Sequence, residues 1–123
     1  MKPESLLLRQ IHPSFVQEGR VTSQAFRPTP KDEFHLSVDN GDKSSAKDAW
    51  QRFINTPGCS SIGVQAVRAA DCEEQELPVI EDGTPYPEHC SIDFSAEQKK
   101  SIERKAKALR TKAESIGWLH LVD

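Results

Sequence analysis

Ile102, Ala106, Leu109, Ala113 and Ile116 recur at intervals of four, three, four and three residues, which is the spacing of one narrow apolar stripe along an α-helix. Apart from Ala96 and Ala108, every other residue from Ser95 to Ile116 is polar. The spacing predicts a helix with Ser95 as N-cap, Gln98 as its capping-box partner and Gly117 as its stop. A stripe this narrow needs an apolar surface to lie on, and the rest of the chain has strand character to supply one.

Leu6, Leu7, Leu8 and Ile11 predict a first strand, closed by Pro13. Phe34, Leu36 and Val38 alternate with His35, Ser37 and Asp39, the period of a half-buried strand, and Asn40-Gly41-Asp42 turns the chain. Ser44 or Ser45 can cap a helix reaching about Ile54, with Ala46, Ala49, Trp50 and Phe53 on one face. Ile62 to Val67 reads as a central strand, and Ala70 to Gln75 as a helical turn. Pro78 to Pro87 reads as a loop, Ile92 to Phe94 as a short strand, and Trp118 to Val122 as a terminal one. The order β-β-α-β-β-α-β lacks a regular βαβ alternation. It predicts one α+β domain over residues 1–123: a mostly antiparallel sheet covered by the long C-terminal amphipathic helix and a shorter middle helix. The stretch His12 to Glu33 is left without regular structure.

Composition narrows the class. At 36% hydrophobic and 28% charged residues, the 123-residue chain is composed as a folded domain with long polar loops. No apolar run approaches the ~20 residues of a membrane helix, and the start lacks a signal-peptide pattern, so a cytoplasmic location is expected. Cys59, Cys72 and Cys90 are an odd set without a C-x-x-C pair. They read as reduced thiols, and neither a structural metal nor a cofactor is expected.

Charge is uneven. Nine acidic residues and no Lys or Arg lie between Ala69 and Gln98, whereas Lys99 to Lys112 holds seven basic residues against Glu103 alone. These segments either match each other within the fold or form two separate surfaces. The basic helix carries no aromatic residue and the chain has a net charge of −3, so nucleic acid is not an expected partner. A solvated face is the plainer reading of its cations. Neither a Gly-rich phosphate loop nor a nucleophile–base signature is present, which leaves enzymatic activity open.

The polar segment Arg20 to Asp32 is the most suggestive. It sets Arg20, Ser23, Gln24 and Arg27 beside a few packing anchors, Val21, Phe26 and Pro28. Arg9 is the sole charge in the first strand, Ser37 lies in the second, and His89 precedes a later one. Together Arg9, Arg20, Ser23, Gln24, Ser37 and His89 are a candidate pocket for an anionic ligand such as a nucleotide or NAD-like molecule. Against this stands the turn-capping role that Ser and Thr commonly play.

Four short segments carry a resemblance. Arg9, Ile11 and Pro13; Ser23, Ala25 and Phe26; Leu36, Ser37 and Val38; and Pro87 with His89 resemble the Arg-x-Ile-x-Pro, Ser-x-Ala-Phe, Leu-Ser-Val and Pro-x-His segments of a scattered set of small uncharacterised bacterial proteins. The likeness spans most of the first ninety-odd residues, omits the long helix, and implies a bacterial origin without an activity. More faintly, the plan of an early strand Arg and a later strand Ser resembles small NAD-handling transferases, whose acidic motif this chain lacks. Two functions are therefore expected to compete. One is an interaction module for a protein partner, such as an operon-encoded defence or toxin-control accessory. The other is a small enzyme or binder of an anionic ligand.

Overall fold

Leu7 and Leu8 are consecutive and both buried, yet they serve different cores. Successive strand residues point to opposite faces, so the first strand, β1 (Leu6–Ile11), must be covered on both sides. The computed structural model describes residues 1–122 and shows how this is done.

The chain runs from β1 through a small hairpin, β2 (Val16–Gln17) and β3 (Arg20–Val21), to β4 (His35–Asn40) and helix α1 (Ala46–Ile54). Strand β5 (Gly63–Arg68), helix α2 (Ala69–Glu74), β6 (Val79–Ile80) and β7 (His89–Asp93) follow. Helix α3 (Lys99–Ile116) and β8 (His120–Leu121) complete it. Six strands form one sheet in the order β6-β7-β4-β1-β5-β8, and every adjacent pair is antiparallel. The fold is α+β, with the long C-terminal helix and a shorter middle helix on the sheet.

The larger core lies under α3. Ala106, Leu109 and Ala113 are fully buried against Leu7, Ile11, Leu36, Val38, Val67 and Ile92, and Phe26 and Phe94 fill the space between. The opposite face carries α1 and a small core of Leu8, Ala49, Val64 and Ala66, flanked by Trp50.

Several boundaries differ from the sequence expectation. Helix α3 starts at Lys99 with Gln98 as its N-cap, rather than at Ser95. The Ser95 amide is taken by the Asp93 side chain at 2.8 Å and the Glu97 amide by the Phe94 carbonyl, so residues 94–97 close a turn before the helix begins. Phe34 does not open β4. It follows Glu33 in the left-handed region, with φ of 60° after 55°, and its amide donates to the Thr29 carbonyl. β7 begins at His89, three residues before Ile92, because β4 is long enough to pair with it from His35 to Asp39. The expected loop from Pro78 contains β6, which adds a short edge to β7. The His12–Glu33 stretch contains the β2–β3 hairpin, turned by Glu18 and Gly19, both at positive φ as a tight two-residue turn requires.

The cationic face of α3 is not uniformly wet either. Lys105 is buried and bonds Glu97 at 2.9 Å. Arg110 donates through Nε to the Val21 carbonyl at 2.9 Å, and Glu114 takes both Nε and Nη2 of Arg20. The basic helix thus clamps the hairpin. Among the described residues two ion pairs join the basic segment to the acidic one between Ala69 and Gln98: Lys105 with Glu97, and Lys112 with Glu74 at 3.7 Å.

Gly63 is required where β8 joins. A Cβ there would run into the His120 carbonyl, since β8 crosses over Gly63 and Val64.

Candidate ligand-binding site

β1 and β4 are paired only at Leu7–Asn40 and Leu8–Asp39, after which they part. The Ser37 carbonyl, which a continuous ladder would have given to a β1 amide, accepts instead from Arg9 Nη1 at 3.0 Å. Arg9 Nε donates to the Ala25 carbonyl at 2.7 Å. One guanidinium therefore ties both β4 and the short 3₁₀ turn Ser23–Phe26 to β1. It also lies 5.9 Å from the centre of the Phe15 ring. Burial pulls the Arg9 pKa down to about 10, opposed by the charge of Asp32. That still leaves it cationic at neutral pH, and no carboxylate among the described residues comes within 4.0 Å of it.

The parting of the strands opens a cleft of about 420 Å³ on the α1 side. Leu8 and Gln10 of β1 and Ser37 and Asp39 of β4 lie along it, with Phe53, the Gly58–Ser60 loop and Tyr86 around it. Arg9 and Phe15 border this cleft and also a second groove of about 480 Å³, which contains Ser23, Gln24, Arg27 and Thr29. Arg9 is thus shared between two concavities.

One wall of the cleft is a fixed polar network. Asp39 is 5% exposed and spends both carboxylate oxygens: Tyr86 donates its hydroxyl to Oδ1 at 2.6 Å, and Arg52 of α1 donates to Oδ2 at 3.0 Å. The Arg52 guanidinium also covers the Tyr86 ring, 4.6 Å from its centre. Burial and the neighbouring Asp39 raise the Tyr86 pKa, so the phenol stays protonated and remains a donor. Beyond Tyr86, and edge-on to its ring, lies His89, whose Nδ1 is 2.6 Å from Asp82 Oδ1. Ser91 donates to Asp82 Oδ2 at 2.7 Å. In this trio the carboxylate holds both partners. A serine nucleophile would instead need its hydroxyl on the imidazole, so the three residues fasten the loop before β7.

Gln10 is different. Its amide nitrogen and oxygen are both buried and neither finds a partner within the protein.

Of the residues expected from sequence to line a pocket, Arg9, Ser23 and Gln24 share the second groove, and Arg9 and Ser37 share the first cleft. Arg20 borders neither of these two, but shares a third groove with Ser23 against α3, where its guanidinium is bonded to Glu114. His89 is bonded to Asp82 and borders neither concavity. Sequence reasoning missed Gln10, Asp39, Arg52 and Tyr86. Gln10 had a legible signal, since in an alternating strand it falls on the same face as Leu6 and Leu8.

Of the three free thiols, Cys59 borders the first cleft, whereas Cys72 and Cys90 are buried. Burial pushes Cys72 up to about 12, with Asp71 adding to it, and pushes Cys90 up to about 11. Among the described residues no three His, Cys, Asp or Glu side chains gather as a metal site, and no helix is long and apolar enough to cross a membrane. No protein-family model matches the chain, and no similar curated protein or solved structure was found.

Proposed function

We propose that the chain is a small-molecule binding protein whose ligand carries a carboxylate or phosphate, held by Arg9 where β1 and β4 part. The observation that carries this reading is the Arg9 guanidinium. It is partly buried, bonded only to backbone carbonyls, and placed at the edge of two clefts. A partly desolvated cation with no carboxylate in contact, only the more distant charge of Asp32, favours an incoming anion, and its planar fork suits carboxylate or phosphate. Each cleft falls within the ~300–1,000 Å³ range of small-molecule sites. Ser23, Gln24 and Arg27 are among the polar groups that border the second groove with Arg9. A cytoplasmic setting fits its three free thiols.

Calorimetric titration of the protein with phosphate, citrate and simple nucleotides tests the reading. Binding that Arg9→Lys weakens at least tenfold, with an unchanged circular-dichroism spectrum, supports it. Equal binding by the variant, or none by the wild type, refutes it.

The apolar C-terminal edge favours a second reading, an interaction module for a protein partner. Trp118, Leu119, Leu121 and Val122 are 36–49% exposed around β8, the last strand of the sheet. Unpaired edges of this kind accept an added strand. Leu121→Lys should then abolish co-purification of the partner without lowering ligand affinity.

A further inference from the structure

Resting on that anion site, we infer that Arg9 lies at one end of a track for single-stranded nucleic acid, which crosses the β2–β3 hairpin and continues along α3. The groove that Arg9 shares with Arg27 does not end at the hairpin. Gln17, Thr22 and Ser23 border it and also the third groove, of about 900 Å³, whose other side is Lys107, Arg110 and Thr111 of α3. The two concavities are therefore contiguous, and cations stand in both. From Lys107 the exposed face of the helix carries the charge on. Arg104 and Lys100 follow at intervals of three and four residues, which makes them surface neighbours.

The cations of this track are uncommitted. Among the described residues Arg9, Arg27, Lys100, Arg104 and Lys107 have no carboxylate within 4.0 Å. Of the acids along the way, Glu114 is already held by Arg20 and Arg110, which leaves Glu18 at the groove and Glu103 one turn from Lys107. Two features of the sequence count against nucleic acid, the net charge and the lack of an aromatic residue in α3, and the fold answers both. Glu73, Glu76 and Glu81 gather in a separate groove that shares no residue with these two, so net charge is no guide to this face. Phe15, brought in by the turn after β1, borders the Arg9 groove and supplies a ring on which a base can stack. Gln17 and Gln24, both exposed on the same groove, add amide donors and acceptors that suit base edges rather than a bare phosphate chain. A cationic groove with an aromatic platform is what a single strand requires.

Fluorescence anisotropy with labelled oligouridylate and oligothymidylate of about twelve nucleotides, beside calorimetry with inorganic phosphate, tests this. The proteins are wild type, Arg9→Lys and the double variant Arg104→Ala/Lys107→Ala. An oligonucleotide should bind with a logarithmic salt slope of about −2 to −3, the value for three or four neutralised phosphates. Arg9→Lys should weaken both ligands. The double variant should lose tenfold or more in oligonucleotide affinity. It should hold phosphate within about twofold of wild type and melt alike, since both side chains are exposed. Oligonucleotide binding that the double variant leaves unmoved, or that inorganic polyphosphate or polyglutamate of equal length matches, overturns the track. So does the absence of oligonucleotide binding while phosphate binds and Arg9→Lys weakens it, in which case the anion site stands alone. If neither phosphate nor oligonucleotide binds, both readings fall.

Discussion

Under α3 the sheet meets Leu109, Ala106, Ala113, Phe26 and Phe94, all fully buried, with almost no polar atom among them. On its other side, α1 is short and covers only Leu8, Val64 and Ala66 with Ala49. The remainder of that face is polar: Asp39, His89, Ser91 and Gln10 rise from three adjacent strands, and Arg52, Tyr86 and Asp82 come down to meet them. The same six strands thus carry a dry side that can hold the fold together and a wet side free to be specialised. Stability scales with apolar area removed from water, and the dry side holds most of it. A cleft can therefore open between β1 and β4 without unravelling the sheet, because Arg9 and the α3 core hold what the missing ladder would have held.

The largest effect should come from the dry side. Leu109→Ala removes the central residue of the α3 stripe and should cost about 2–5 kcal/mol, the range for a buried leucine in a close-packed core. Chemical denaturation measures it. A loss below about 0.5 kcal/mol, the scale of a surface change, would mean that α3 is not the stabilising layer and that the contrast between the faces is wrong.

The wet side should answer more mildly. Asp39→Ala leaves the Tyr86 hydroxyl and the Arg52 guanidinium without their acceptor. The expected cost is about 1–3 kcal/mol, the penalty for a partly buried donor stripped of its partner. It stays at the lower end if Arg52, whose side chain is 32% exposed, turns to water. A cost exceeding that of Leu109→Ala would make the network part of the core rather than a wall of the cleft.

This division of labour also explains what could be read from the residues alone. The dry side was legible. A 4-3-4-3 stripe and alternating strands state which atoms must leave water, and burial is dominated by that requirement. Strand β1, helix α1 and the body of α3 follow from it directly. The α3 start was not legible, because Ser95 has the right chemistry for a cap and loses to Asp93, whose carboxylate takes the Ser95 amide. The β2–β3 hairpin was hidden because its turn is Glu18-Gly19, whereas Asn-Gly or Asp-Gly is the strong signal. Val16 and Val21 flanking that pair were the available clue. For the cleft, Arg9 stood out as a lone charge in an apolar strand that had to find polar partners, and Ser23 and Ser37 lay in the polar segment and the strand that follow it. Tyr86 and Arg52 reach Asp39 from forty-seven and thirteen residues away. Nothing local marks such a meeting.

The smallest expected effect concerns acid, and it separates the wall of the cleft from the loop that fastens it. Burial of Asp82 works against its charge. Hydrogen bonds from His89 and Ser91, with the imidazole's charge, nevertheless hold its carboxyl below the ordinary value of 3.8. A carboxyl with a lowered folded pKa stabilises the fold fully above its unfolded value, and that stability is lost as pH falls through the folded one. The loop before β7 should therefore keep its anchor down to about pH 4 and release it in stronger acid. Asp82 is 28% exposed on its side chain, so screening limits the contribution to about 1 kcal/mol or less. Urea melts from about pH 6 to about pH 3 on wild type and Asp82→Asn measure it as the difference between two slopes. The wild type should lose more stability than the variant over the acid end, with the two curves parallel above it. Identical slopes throughout would show that Asp82 holds His89 and Ser91 without any linkage to folding. In that case His89 would owe its place to the edge of the Tyr86 ring, 5.5 Å between centres.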